Sequence, residues 1–381
     1  MPVPLFDLRP QHASLDTELR AAFDRVLRSG HYIMGPELTG FETECAAYLG
    51  VKHALGISSG TDALLLAMMA LDIGPGDEVL CPSFSFFATA GCVARLGATP
   101  VFVDSNLDDF NLCLADTARK ITPRTKAIIP VHLFGQSADM DGVMAIANQH
   151  NLRVIEDAAQ AFSTRYKGKS AGGIGDFGGY SFFPTKNLGA LGDAGLLVTN
   201  DDTLAERARI LRVHGMEPKY YHQFVGANFR LDALQAALLR VKLPHLDTYT
   251  AARQRNAAYY RAQLLPTSAI ILPTANCQLS TSTHIWNQYT LRITGPGQRD
   301  ALKAHLAALG IGTEIYYPLP LHAQKCFAHL PTDPTTLPNA TRLSNEVLSL
   351  PIYPELPEAH RQQVVEGINS FQAQSLAQRQ K

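Results

Sequence analysis

The sequence predicts an α/β protein in which a large domain, built on a mostly parallel mixed sheet, is followed by a smaller C-terminal α/β domain. Short apolar runs bounded by turn residues alternate with segments of helical periodicity, which is typical of a parallel sheet covered by helices. The length of 381 residues suits two domains, and 46% hydrophobic and 18% charged residues are ordinary for a globular chain.

The first elements along the chain are two helices and a strand. Apolar residues at helical spacing predict a helix over residues 16–28, and a second helix is expected at 36–48. The strand-like segment HALGIS then leads to Ser58, Ser59, Gly60 and Thr61, where a long apolar helix begins. Further strands are predicted at 78–81, 99–103, 127–131, 153–156, 180–183 and 195–199.

The domain boundary is predicted near residue 245. A helix over 231–243 ends at Pro244, and a polar amphipathic stretch through residue 264 carries the chain into a new segment. Residues 1–245 are therefore expected to form the large domain and residues 246–381 the small one. The small domain is predicted to contain a strand at 288–293, a helix at 299–309 and a final helix from about residue 357.

The charge of the chain indicates what kind of partner it binds. The 33 basic and 34 acidic residues nearly cancel, so the chain has no overall electrostatic field to attract nucleic acid or a membrane, and a small-molecule partner is expected.

Prolines and charges interrupt the N-terminal segment where a signal peptide needs an apolar core, which favours a cytoplasmic location. No metal site is expected, because neither the histidines nor the cysteines have metal-ligand spacing, and the cysteines are expected to be reduced. These residues are His132, His214, His222, Cys45, Cys81, Cys92, Cys113, Cys277 and Cys326.

The block from residue 154 to residue 195 carries most of the chemical information. An apolar strand ends in Glu156 and Asp157, and a lysine, Lys186, lies among aromatic and small residues in YSFFPTKNLGALGDAG. A pyridoxal-phosphate (PLP) site needs a lysine, a carboxylate for the pyridine nitrogen, and N–H and hydroxyl groups for the phosphate. The helix start at Gly60 and Thr61, with the Ser181 hydroxyl, offers the third part. Taken singly, such a carboxylate is more often a cap or an ion-pair partner than a functional group, and such a helix start is more often plain capping.

Longer motifs distributed over nearly the whole chain resemble one family, the sugar aminotransferases of the DegT/DnrJ/EryC1/StrS group. The motifs are SGHYIMGPE at 29–37, SSGTDAL at 58–64, GPGDEVLCPSFSF at 74–86, ITPRTKAIIPVHLFGQ at 121–136, VIEDAAQA at 154–161, SFFPTKNLG at 181–189, NFRLDALQAA at 228–237, IYYPLPLH at 315–322 and SLPIYPEL at 349–356. The resemblance implies a fold-type I PLP enzyme that acts on nucleotide-linked keto-sugars.

The resemblance also implies roles for residues of the cofactor site. Lys186 is expected to bind PLP as a Schiff base and to move the proton between cofactor and substrate carbon. Asp157 is expected to pair with the pyridine nitrogen, and Gln160 to reach the ring hydroxyl. Phe86 matches an aromatic residue that stacks on the pyridine face. The phosphate group is expected to lie against Gly60, Thr61 and Ser181.

A shared site and a substrate region follow from the same resemblance. Asn228 matches a residue that the neighbouring subunit donates to the phosphate site, which implies a homodimer. Arg230 is a candidate for binding the carboxylate of the amino donor, and an ion pair with Asp232 or another acid is the alternative. Tyr316 and His322 fall where the family contacts substrate, although many relatives have histidine at the position of Tyr316.

Other motifs and other functional classes fit the sequence less well. GIGDFG at 173–178 fits a dinucleotide-binding pattern, but a polar segment precedes it and a strand-like segment follows it. GKS at 168–170 resembles part of a phosphate-binding loop, but Ser163 stands where the first glycine is required. A PLP-binding regulator on the same fold would need a DNA-binding domain or a basic patch, and the sequence shows neither. The family's dehydratase branch replaces the lysine with histidine, so Lys186 argues against that branch.

The expected activity is therefore transfer of an amino group, with L-glutamate as donor and a keto-sugar linked to dTDP or UDP as acceptor. The GTDAL motif, the FDL opening and the HGMEPKYYH segment favour the 3-keto branch, which gives a 3-amino sugar. The alternative is the 4-keto branch of the same family.

Overall fold

A seven-stranded mixed sheet organises the first part of the chain. The computed structural model describes residues 2–265, 267, 269–274 and 282–379, with side chains described as far as residue 373. The strands of this part are β1 (His53–Ile57), β2 (Glu78–Pro82), β3 (Thr99–Val103), β4 (Thr125–Ile128), β5 (Arg153–Asp157), β6 (Arg165–Tyr166), β7 (Lys169–Ser170), β8 (Phe177–Ser181) and β9 (Gly195–Thr199). The sheet order is β1-β9-β8-β5-β4-β2-β3, and β6 pairs with β7 in a separate hairpin.

The sheet is parallel except at β9, which runs antiparallel to both β1 and β8. Its helices are α1 (Arg9–Ser14), α2 (Asp16–Ser29), α3 (Pro36–Leu49), α4 (Gly60–Ala70), α5 (Ala88–Arg95), α6 (Leu114–Arg119), α7 (Met140–His150), α8 (Asp202–Leu211) and α9 (Ala233–Lys242). The next helix, α10 (Leu246–Gln263), packs against the large sheet at Leu246 and buries Ala257 and Tyr260 in the core of the C-terminal part. Strands such as β2 and β9 are buried along their whole length, as expected for a sheet covered on both faces. The predicted α/β class and mostly parallel sheet are confirmed.

The C-terminal part forms a second hydrophobic core on a three-stranded antiparallel sheet. Its elements are β10 (Ile270–Ile271), β11 (Tyr289–Ile293), α11 (Gln298–Ala308), α12 (Pro338–Glu346), β12 (Val347–Leu350) and α13 (Glu358–Arg379). Val3 packs in this core, and its N–H donates to Gly310 O at 2.8 Å. Leu321 and Phe327 pack instead in the core of the large sheet. The chain thus crosses between the two cores more than once, and the single boundary near residue 245 stays a prediction.

The glycine-rich segment 173–178 leads into β8 rather than into a helix. Its backbone amides bind a carboxylate of the protein itself, because Gly172, Ile174 and Gly175 donate to Glu156 at 2.6–2.7 Å. In the GKS segment, Gly168 lies in the turn of the β6-β7 hairpin, and Lys169 and Ser170 form β7. Neither segment has the strand-to-helix geometry that nucleotide-binding loops require.

The buried histidine of the sheet, His132, is bonded within the protein. Its Nε2 lies 2.9 Å from Glu156 Oε2, and its Nδ1 accepts from the Ala138 N–H at 3.1 Å. Over the described ranges, no group of three or more His, Cys, Asp or Glu side chains is arranged to hold a metal ion. No helix found there is long and apolar enough to cross a membrane. Cys277 lies outside the described residues; Cys45, Cys81, Cys92, Cys113 and Cys326 are free thiols.

Candidate active site

A cavity of ≈ 450 Å³ opens where β5 and β8 end and where α4 begins. In a parallel sheet, the carboxyl ends of the strands meet at one edge, so side chains distant in sequence come together there. Its lining comprises Ser59, Gly60, Thr61, Leu64, Ser85, Phe86, Ala88, Val131, Leu133, Asp157, Ala159, Gln160, Ser181, Phe183, Thr185, Lys186, Asp193, Gln288, Tyr316 and Tyr317. Eight of the eleven residues singled out from the sequence belong to this set.

Asp157 is the last residue of β5 and is only 5% exposed. One carboxylate oxygen accepts a hydrogen bond from Thr89 Oγ1 at 2.8 Å, and the other accepts from the Ala159 N–H at 3.2 Å. Burial raises the pKa of Asp157, and these two hydrogen bonds oppose that effect, as does the charge of Lys186. The carboxylate is therefore held in one orientation, with its charge poorly solvated and in need of a cationic partner.

Lys186 lies in a turn that follows β8, where its backbone N–H donates to Phe183 O at 2.8 Å. Burial lowers the pKa of Lys186 to about 8, and the Asp157 carboxylate opposes this shift. A lysine with such a pKa has an appreciable neutral fraction near pH 7, and the neutral amine is the form that attacks a carbonyl group. No hydrogen bond joins Nζ to any described residue. The amine is thus available to a ligand in the cavity.

The N-terminus of α4 forms another part of the cavity lining. Ser59 caps this helix, its Oγ accepting from the Asp62 N–H at 3.1 Å. The amides of Gly60 and Thr61 belong to the first turn, which has no intrahelical acceptors, and they carry the positive end of the helix dipole. A Cβ placed on Gly60 would lie only 2.7 Å from Ser181 Cβ, so a larger residue would fill the space between helix and strand. This part of the cavity suits an anion such as a phosphate.

Aromatic and amide side chains complete the walls. Phe86 is 56% exposed, and its ring lies 6.2 Å from that of Tyr317. Gln160 accepts from the Phe134 N–H at 2.7 Å and donates to the Tyr317 hydroxyl at 3.0 Å, so its amide is fixed beside the cavity. Tyr316 also lines the cavity. The lysine, the carboxylate, the anion-binding end and an exposed ring together fit the chemical groups of PLP.

Three residues singled out from the sequence lie outside this cavity of the single chain. Asn228 is exposed, and its backbone pairs with Val213. Arg230 is half-buried, its Nε has no hydrogen-bond partner, and among the described residues it forms no ion pair, so the alternative pairing with Asp232 is absent there. His322 binds Ser83 instead, with Nδ1 2.6 Å from its Oγ. The structure of one chain leaves the roles of these three residues as predictions.

The family was established by comparison with known proteins. The model of the DegT/DnrJ/EryC1/StrS aminotransferase family matches residues 13–369. The chain belongs to this family. The predicted class of enzyme, an aminotransferase, is thereby confirmed, and so is PLP as cofactor, since aminotransferases of this family depend on it.

Relatives of this aminotransferase resemble it over almost their whole length. A "pleiotropic regulatory protein" of Geobacillus stearothermophilus is 48% identical, over 97% of this chain and 99% of that protein. A UDP-N-acetyl-3-dehydro-alpha-D-glucosamine 3-aminotransferase of Acidithiobacillus ferrooxidans is 46% identical, over 93% and 94%. The crystal structure of DesV from S. venezuelae, in complex with a ketimine intermediate, is 43% identical with a TM-score of 0.93, covering 97% and 98%.

Two residues of the aminotransferase site were missed in the sequence. Thr89, in the first turn of α5, donates its hydroxyl hydrogen to the Asp157 carboxylate, which can only accept. The Thr89 oxygen therefore accepts a hydrogen bond from the Ser85 hydroxyl, at 3.0 Å. Tyr317 lies beside Tyr316 in the cavity and bonds Gln160. Thr89 lies outside the motifs quoted above and has no local signal in the sequence, whereas the YYP motif was the available signal for Tyr317.

Proposed function

We propose that the protein transfers an amino group from L-glutamate to the C3 carbonyl of a keto-sugar linked to dTDP or UDP, giving a 3-amino sugar. The observation that carries the proposal is that Lys186 and Asp157 line the same cavity as the N-terminus of α4. When bound, PLP withdraws electrons from the substrate carbon and so makes its proton removable. The protein's own groups must hold that cofactor and move the proton.

Besides Lys186, six residues are proposed to hold the cofactor. The Asp157 carboxylate would keep the pyridine nitrogen protonated, since its buried charge is stabilised by a cation. Gly60, Thr61 and Ser181 would bind the phosphate through amides and a hydroxyl. The exposed face of Phe86 offers a stacking surface, worth about 0.5–1.5 kcal/mol beyond the area that it buries. Gln160 would contribute its amide at the ring hydroxyl.

Lys186 is proposed to bind the cofactor and then, once released, to carry the proton. A base works best when its pKa lies near the working pH, and a value of about 8 is close to that condition. The Asp157 carboxylate limits the fall of this pKa and so keeps the amine able to accept a proton. Arg230, Tyr316 and His322 remain candidates for contacts with the amino donor and the sugar.

The site is proposed to be completed by a second copy of the chain. Asn228 and Arg230 lie outside the cavity of their own subunit, as expected for residues that serve a neighbouring one. Exposed apolar side chains such as Phe23, Leu27 and Leu191 are costly in a monomer, and a homodimer would cover them. A cytoplasmic location is proposed because Cys45, Cys81 and Cys92 are buried free thiols.

Product analysis tests the acceptor. The purified protein, PLP and L-glutamate are incubated with 3-keto and with 4-keto nucleotide sugars, each on dTDP and on UDP. Amino transfer at C3 is expected, and transfer at C4 alone would contradict the proposal. The similarity to a 3-aminotransferase supports C3.

A second candidate function is that of a PLP-binding regulator without turnover. The name of the 48% identical relative favours it. The same assay separates the two functions, because a regulator would bind PLP and form no amino sugar with any of the four substrates.

A further inference from the structure

The turn that carries Lys186 is bonded to a segment of the second core. Asn187, the next residue, is 5% exposed, and its side-chain oxygen accepts a hydrogen bond from Asn287 Nδ2 at 2.9 Å. Its own Nδ2 donates to Ile285 O at 3.0 Å. The amide of Asn187 is therefore held at both its oxygen and its nitrogen by residues about a hundred positions away.

The segment that holds Asn187 is itself fixed from two other directions. The backbone N–H groups of Ile285 and Asn287 donate to Gly135 O and Phe134 O at 3.0 and 2.9 Å. Arg253, which is 1% exposed, donates from Nη1 to the backbone oxygens of residues 286 and 287, at 3.1 and 3.3 Å. Asn287 thus has little freedom to follow Asn187 if the turn moves.

The same segment is connected to the cavity on its other side. Phe134, whose oxygen binds the Asn287 N–H, donates its own N–H to Gln160, and Gln160 donates to the Tyr317 hydroxyl. Lys186 and Gln160 line one cavity. A continuous series of hydrogen bonds therefore relates the turn of Lys186 to Gln160 and Tyr317 in the cavity lining.

We propose that Asn287 is a positioning residue of the reaction, which acts through Asn187 to fix the direction of the Lys186 side chain. Holding the amide of Asn187 restricts the backbone at the neighbouring Cα, from which the lysine side chain extends. Misplacement of a reacting group by about 1 Å costs about a hundredfold in rate. This inference rests on the proposed function, since it requires Lys186 to be the reacting residue.

The test is a double-mutant cycle of Asn187→Ala, Asn287→Ala and the double variant, each loaded with PLP. Two quantities are measured: the pH midpoint of the visible band of the lysine-bound cofactor, and the rate at which L-glutamate removes that band in one turnover. Thermal unfolding of each protein is recorded beside them. The matched control is Asn256→Ala, which removes another buried asparagine that donates to a backbone oxygen, Tyr353 O at 2.9 Å, outside the cavity lining.

Each single variant is expected to lower the glutamate rate about 10- to 100-fold and to shift the band midpoint by about half a pH unit, while PLP still binds. The double variant should match the more severe single one, because both remove the same interaction. Asn256→Ala should lower the melting temperature and leave rate and midpoint unchanged.

The inference is overturned if the two single effects multiply in the double variant, or if the rate and midpoint move no more than in Asn256→Ala. Failure of the proposed function is a different result. A wild-type band that L-glutamate does not remove would contradict transamination from that donor, while the band midpoints would still decide the role of Asn287. Absence of any lysine-bound band in the wild type would overturn both.

Discussion

Thr89 Oγ1 donates a 2.8 Å hydrogen bond to Asp157 Oδ2, and the Ser85 hydroxyl supports Thr89 from the other side at 3.0 Å. Hydrogen bonds favour the ionised carboxylate, whereas burial favours the protonated acid. The proposed pairing with the cofactor depends on an ionised Asp157. Its ionisation depends on the balance between burial and hydrogen bonding, to which Thr89 contributes.

Replacing Thr89 by valine removes this hydrogen bond while keeping the shape of the side chain. The pKa of Asp157 should rise further, and the acidic limb of the activity profile should move to higher pH. Loss of a hydrogen bond to a charged group corresponds to about a 10- to 100-fold fall in kcat/KM. Steady-state rates between pH 5 and pH 9 provide the measurement. Thr89→Ser keeps the hydroxyl and serves as the control; equal profiles for the valine variant and the wild type would rule out this role.

Gly60→Ala tests the proposed phosphate end of the cavity. The added methyl group would lie 2.7 Å from Ser181 Cβ, so Ser181 must move. We expect the dissociation constant of PLP to rise about tenfold or more, as measured by titrating the apoprotein with the cofactor. Gly74→Ala is the control, because its methyl group would meet only Leu96 O, at 3.9 Å. A cofactor affinity equal to that of the control variant would show that this contact does not limit binding.

Lys242 is buried, and its amine donates to the backbone oxygen of Gly189, three residues after Lys186, at 2.6 Å. Burial lowers its pKa from 10.5 to about 8, with the charge of Glu355 opposing. Between about pH 8 and pH 10.5, Lys242 is therefore protonated in the unfolded chain and neutral in the folded chain. Wild-type stability should rise with pH across this window, by up to about 3 kcal/mol relative to Lys242→Met.

Denaturant unfolding of the apoprotein at several pH values measures this difference. The comparison between wild type and Lys242→Met cancels the ionisation of tyrosines and cysteines, which occurs in both proteins. Lys126→Met, at an exposed lysine, is the control. A stability difference between wild type and Lys242→Met that stays constant from pH 7 to pH 10.5 would show that Lys242 is not a proton-linked group.

Subunit mixing tests whether Asn228 serves the cavity of a partner. Lys186→Ala and Asn228→Ala are each expected to be weakly active or inactive alone. If sites are shared, a mixed dimer contains one site with both native residues, and random mixing should restore about a quarter of wild-type activity. Activity is measured after the two variants are unfolded and refolded together. No gain over the separately refolded variants would argue that each site is built within one subunit.

Local sequence patterns predicted the fold well where elements are regular. The strands at Thr99–Val103 and Gly195–Thr199 lie where the apolar runs predicted them, because both are buried and bounded by turns. The predicted strand at 180–183 lies instead at Phe177–Ser181, since residues 178 and 179 are glycines, which weaken a strand pattern. The presence of an element with regular apolar residues can be predicted from the sequence, but the residues at which it begins and ends are predicted less accurately.

The residues of the candidate site that could be predicted are those that lie in the sequence motifs. Asp157 ends β5 and Lys186 follows the end of β8, so their position at one edge of the sheet could be predicted. Thr89 and Asn287 could not, because they act on residues 68 and 100 positions away through single hydrogen bonds, which leave no local pattern. The packing of Val3 in the second core was missed for the same reason.

The central claim is that Lys186 holds PLP and accepts the proton of the amino donor. The most direct test is the visible spectrum of the purified protein with PLP, before and after L-glutamate, beside the Lys186→Ala variant. The wild type should show a yellow band of lysine-bound cofactor that glutamate removes, and the variant should lack that band. A variant that keeps the wild-type band, or a wild type that never forms it, would contradict the account.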